Sequence, residues 1–328
     1  MKQADFERSF EPRWNEFGDW LDRHDGKPSR GSAVPRFDDA GFPARYREIC
    51  QHLALARDRH YGADLVERLN QLALRGHHAL YGERGVGAGR MLDFIAWGFP
   101  ALVRVEWRAT VAGMLLFFGP LVAITLLAAA RPDAAYYLVD PELLGQMREM
   151  YGDRAEALGR RGAESDVAMF AFYVSHNTGI GFQTFGGGML LGLGTIFFLV
   201  FNGLQIGAVA GFLTSAGLGG NFWGFVAGHS APELLAIGIS GAAGFRLAQA
   251  LLAPGPHSRR HALALAGSRA IRLMAGAALM FVIAAFIEGF WSPHRWLPTT
   301  GKLAAGATLW VLFLAYFGLA GRGRRTRS

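Results

Sequence analysis

The chain has 328 residues, 51% hydrophobic and 18% charged, with a formal net charge of +7. Its single cysteine, Cys50, excludes an intrachain disulfide and argues against a cysteine-built metal site. The basic balance does not call for nucleic acid: Arg259, Arg260, Arg322, Arg324 and Arg325 flank apolar runs, where cytoplasmic ends of membrane spans collect positive charge.

Residues 1–109 read as a cytoplasmic helical domain with no leader, since Met1 to Arg8 is polar. Phe6, Phe10, Trp14, Phe17 and Leu21 recur at helical spacing and predict an amphipathic helix over 3–23. Glycine, proline and charge over 24–40 predict a loop. Two more amphipathic helices are expected over 43–60 (Tyr46, Ile49, Leu53, Ala56) and 63–80 (Leu65, Leu69, Leu72, Leu80). Gly82 to Gly89 is a break without the Lys-Ser/Thr of a phosphate loop. Residues 91–108 predict a short interfacial helix with Trp97, Phe99 and Trp107 at headgroup level.

From Thr110 onward long apolar runs take over, and a spanning helix needs about 20 such residues. The expected fold is all-α: a polytopic bundle over 110–321 behind the soluble helical domain, with a basic cytoplasmic tail at 322–328. The first span is Thr110 to Ala130, kinked at Pro120. A polar extracytoplasmic loop follows at 131–166, with a helical piece over 141–160. Residues 167–188 carry His176, Asn177, Thr178 and Gln183, and predict a short second span or a re-entrant one. Clear spans follow at 189–214, 230–252, 269–290 and 302–321. The basic loop 254–272 and the basic tail place both termini inside and give about six crossings.

Gly188, Gly192, Gly203, Gly207 and Gly211 are expected on one face of the third span, as a small-residue surface that packs the bundle or forms a dimer interface. Asn202 and Gln205 flank it and are expected to hydrogen-bond across helices. His229 and Glu233 are four apart and share a helix face. With His176 from another helix they offer three ligands for a divalent metal with an open water position. Ser230-Ala231-Pro232-Glu233 also has the form of a capping box, with Pro in the first turn, which would make Glu233 a backbone acceptor at a helix start. The third reading lines a polar pocket with His176, Asn177, Asn202, Gln205, His229 and Glu233. Glu288 and His294, beside Trp291 and Trp296, read as an interfacial girdle. No catalytic triad, Walker loop or dinucleotide fingerprint is present, so no enzyme class and no cofactor is indicated.

Three sets of residues together resemble the stage II sporulation protein M family (SpoIIM, also DUF95) of bacterial and archaeal membrane proteins. They are the opening helix with Phe10, Trp14 and Leu21; the run from Tyr46-Arg47-Glu48-Ile49 through Leu69-Asn70 to His77 and Tyr81; and Asn177, Asn202-Gly203-x-x-x-Gly207 and His229-x-x-x-Glu233. Where the family usually has Pro-His-Gly, this chain has Gly228-His229-Ser230, with proline at Pro232. The resemblance implies an inner-membrane scaffold that organises membrane or envelope proteins; in spore formers the namesake helps localise peptidoglycan-degrading partners. It also implies a MoxR-type ATPase as partner, while a homo-oligomer is the expectation that the glycine face alone raises. Two further readings of the residues are a transporter or channel for a small solute or lipid, and a metal-dependent membrane hydrolase.

Overall fold

A computed structural model describes residues 2–25, 41–81, 88–152, 163–294 and 296–322. The described residues are helical throughout, without strands. They divide into two compact units, Met1–Met91 and Leu92–Ser328.

The first unit has three long helices, α1 (Gln3–His24), α2 (Phe42–Asp58) and α3 (Ala63–Tyr81). Their apolar stripes meet in a core of Phe6, Trp14, Phe17, Leu21, Phe42, Ile49, Leu53, Ala56, Leu65 and Leu69. These are the stripes the sequence periodicity marks, because a helix buries residues three and four apart on one side. One polar group sits in this core: the Trp14 indole donates to His52 Nδ1 at 3.0 Å. Arg75 closes α3 onto α1 through Asp22 and Asp25 at 2.7 and 2.9 Å. The expected loop at 26–40 and the glycine break at 82–87 lie outside the described residues.

Helix α4 (Ala88–Asp93) straddles the boundary between the units, and one π turn (Phe94–Gly98) and α5 (Phe99–Val105) follow in the second. It does not form a uniform interfacial helix. Trp97 and Trp107 are exposed, as membrane-surface residues would be, but Phe99 is buried. The Phe99 ring sits against Gly276, where any Cβ would overlap it, so Phe99 belongs to the bundle core.

Among the described residues, five helices are long and apolar enough to cross a membrane: α6 (Trp107–Ala130), α10 (Leu193–Ser215), α11 (Gly219–Leu252), α12 (Arg259–Phe290) and α13 (Thr299–Leu319). Two short helices, α7 (Asp133–Tyr136) and α8 (Pro141–Tyr151), follow α6. Residues 153–160 of the expected 141–160 helix are outside the described set. The polar residues at 176–183 led to the expectation of a short or broken segment. Instead, α9 (Ala163–Gly186) is one unbroken helix of 24 residues. Side-chain polarity does not break a helix whose backbone hydrogen bonds are all internal.

Neighbouring residues fix the helix directions. Gly203, Gly207 and Gly211 face Phe117, Leu121 and Thr125, so α10 runs parallel to α6. Thr195 lies by Gly244 and Leu199 by Gly241, so α11 is antiparallel to α10. Phe170 packs on Gly289, and Gly181 on Met274 and Phe281, so α9 is antiparallel to α12. Gly228 meets Ile287 and Trp291, while Arg246 and Arg269 converge on Glu106, so α12 is antiparallel to α11. Gly224, Ala227 and Ser230 meet Thr299, Gly306 and Trp310, so α13 is parallel to α11. Successive long helices α6, α9, α10, α11, α12 and α13 therefore alternate in direction.

The centre of the bundle is α11, the most buried of the five apolar helices, rather than α10. It is also eleven residues longer at its start than the 230–252 span, because Gly219 to Gly228 is helical. Pro232 lies inside it. A proline there cannot donate to the Gly228 carbonyl, a loss that bundled membrane helices tolerate.

The glycine face divides. Gly203, Gly207 and Gly211 are pressed against α6, where added Cβ atoms would strike backbone oxygens of Phe117, Leu121 and Thr125. That face is spent inside the chain. Gly188 lies in a 3-10 turn (Gly187–Met189) against Gly244, and Gly192, at φ +87°, precedes α10. Neither continues the α10 face.

Candidate functional site

Helix α11 presents His229, which is buried, and Glu233, which is half-buried, one turn apart on one face. The third member is Glu288, two residues before the end of α12. One ligating atom from each of His229, Glu233 and Glu288 lies within 4.8 Å of the others. His229 is 5% exposed. Glu233 Oε2 is enclosed and accepts no hydrogen bond among the described residues.

Polar neighbours hold the cluster in place. His229 Nδ1 is 3.1 Å from Ser292 Oγ, and Lys302 Nζ, from the start of α13, donates to the Ser292 carbonyl at 2.7 Å. Asn177 Nδ2, from α9, reaches Glu288 Oε2 at 3.4 Å. The Phe225 ring meets the His229 ring at 5.5 Å and the Tyr151 ring at 5.9 Å. Burial first, then the nearby Tyr173, Glu288 and Glu233, push the Tyr151 phenol up. Tyr151, Asn221, Phe225, Ser292 and Lys302 help line a pocket of about 190 Å³.

Ser230 is no N-cap. It lies within α11, donates to the Ala227 carbonyl at 3.1 Å and accepts from the Trp310 indole at 3.0 Å. Glu233 therefore does not serve as a cap. His176 is exposed and stacked on Phe172 at 5.6 Å, so it does not join the cluster, whereas its neighbour Asn177 is buried and does. Asn202 donates to the Phe198 carbonyl of its own helix at 2.7 Å, not across helices. Gln205 donates to the Leu138 carbonyl at 2.8 Å, tying α10 to the segment between α7 and α8. Neither lies with His229. The residue missed was Glu288, read as part of a girdle. Its signal was a lone carboxylate closing an otherwise apolar run, which hydrocarbon penalises unless something uses it.

A second charged group gathers at the other end of the bundle. Glu106 is 6% exposed and meets Arg246 Nε at 3.1 Å and Arg269 at 3.8 Å. Arg104 donates to the Phe317 and Ala320 carbonyls at 2.6 and 2.5 Å, which satisfies the C-terminal end of α13.

Fold and site thus define a polytopic helical membrane protein that gathers a buried histidine and two half-buried glutamates from two of its helices. The chain belongs to the stage II sporulation protein M family, whose model matches residues 113–293. Residues 4–82 match a separate model, a domain of unknown function (DUF8413). No match is found among curated proteins or among solved structures.

Proposed function

We propose that this protein is a membrane anchor that organises partner proteins, with the bundle holding the N-terminal three-helix unit at the membrane for others to dock on. The observation that carries this is modularity. Residues 3–81 have a hydrophobic core of their own and match a family model distinct from that of the membrane part. A unit with its own core can keep its surface for binding.

The setting in this reading is the bacterial cytoplasmic membrane, with both termini inside. Charge supports that orientation. Arg246, Arg259, Arg260, Arg269, Arg272 and Arg322 cluster at the bundle end where α6 begins and α13 finishes, which is the pattern of cytoplasmic ends. Envelope proteins and a MoxR-type ATPase are the partners the family resemblance brings forward.

The test is capture by cross-linking from native membranes, with the full chain and a chain lacking residues 4–82. Scaffolding predicts one recurrent partner that depends on 4–82. Recovery of the chain alone would overturn it.

A further inference from the structure

We propose that His229, Glu233 and Glu288 form a binding site for one divalent transition-metal ion inside the membrane bundle. This goes beyond anchoring and does not depend on it.

Three observations converge. The first is composition: one imidazole and two carboxylates, drawn from α11 and α12, present ligating atoms within 4.8 Å of each other. Ligands held at about 2.0–2.2 Å from one zinc-sized ion lie no more than about 4.4 Å apart, so small rotations of the carboxylates suffice. The second is the enclosed Glu233 Oε2, which accepts no hydrogen bond among the described residues. A buried carboxylate oxygen without a donor is costly in an apolar interior unless a cation or proton meets it. The third is the surrounding support. Metal-binding histidines engage their second ring nitrogen elsewhere, and ligating carboxylates are themselves hydrogen-bonded. Here Nδ1 of His229 is engaged by Ser292, which leaves Nε2, and Glu288 is held by Asn177.

The mixed nitrogen and oxygen set fits zinc, iron or manganese better than the all-oxygen cages of calcium and magnesium. Two carboxylates and a neutral imidazole carry two negative charges, which one divalent ion cancels. Three protein ligands leave a coordination position open, and Ser292, the partner of His229, also lines a pocket with Tyr151 and Lys302. His176 and the remaining notable polar residues of the spans, Asn202 and Gln205, play no part.

The experiment uses the full chain purified in detergent without a tag, stripped with chelator and dialysed against zinc(II) or manganese(II). Elemental analysis should then find about one ion per chain. Removing an outer partner of a ligand weakens metal binding about 10–100-fold, so Asn177→Leu should do that and Glu288→Gln should lose more. His176→Ala should bind as wild type. X-ray absorption of the zinc-loaded wild type gives a readout that needs no variant to fold: one imidazole nitrogen with oxygen ligands. Metal far below one per chain, an all-oxygen or multi-histidine shell, or Glu288→Gln binding as wild type would each overturn the proposal.

Discussion

Gly207→Ala perturbs the close pairing of α6 and α10 at a known point. An added Cβ would sit 2.5 Å from Ile124 Cγ2 and 3.0 Å from Thr125 Oγ1, besides striking the Leu121 carbonyl. Carbon atoms in good contact lie about 3.5–4.0 Å apart, so α6 and α10 must separate by roughly 1 Å at this level. Separation also weakens the hydrogen bond that Thr125 Oγ1 donates to the Gly207 carbonyl at 3.2 Å. Overpacking of this kind costs about 1–3 kcal/mol. For a unit of this size that corresponds to about 2–12 °C in Tm. The assay is thermal unfolding in detergent, with Gly179→Ala as control, since a Cβ at Gly179 meets nothing within 4 Å. Gly207→Ala should melt lower and Gly179→Ala should not. Equal melting of Gly207→Ala and wild type would refute the close pairing of these helices.

Arg104→Met removes both donors from the Phe317 and Ala320 carbonyls; losing hydrogen bonds to a charged group costs about 1.5–3 kcal/mol, so hydrogen exchange over 314–322 should accelerate. Lys302→Met should lower stability by about 1–3 kcal/mol by leaving the Ser292 carbonyl without its donor, read by chemical denaturation; no loss would mean that this contact is not maintained. In the N-terminal unit, burial holds the His52 imidazole below its usual value of 6.5, with Glu48 opposing and Arg13 adding. The unfolded chain takes up a proton as pH falls past 6.5 that the folded unit resists, so protection of residues 42–58 in the full chain should be complete above that pH and decline below it. His52→Gln should flatten that dependence.

Much of the architecture was legible because periodicity and apolar length act locally. The stripes of α1 to α3 and the 110–130 span needed no tertiary information. The face of Gly203, Gly207 and Gly211 was visible too, since residues four apart line one side of a helix. What stayed hidden depended on facing. His176 and Asn177 are adjacent, so on a helix they point about 100° apart and only one can face inward. The capping-box form at Ser230 is a short pattern that a passing helix can carry, and only the glycine-rich run before it, continuing as helix, removes that reading. Glu288 lies more than fifty residues from Glu233. Its approach follows from antiparallel packing of α11 on α12, which no local pattern encodes.

Alternation of the six long helices brings Asn177, His229, Glu233 and Glu288 together near one end of the bundle and the arginines at the other. Single cysteines in a Cys50→Ser background, probed with an impermeant maleimide in intact cells and in inverted vesicles, test it directly. Tyr137→Cys and Ser215→Cys should label from the outer side, and Pro256→Cys and Arg322→Cys from the inner side. Labelling of Tyr137→Cys and Pro256→Cys from the same side would contradict it.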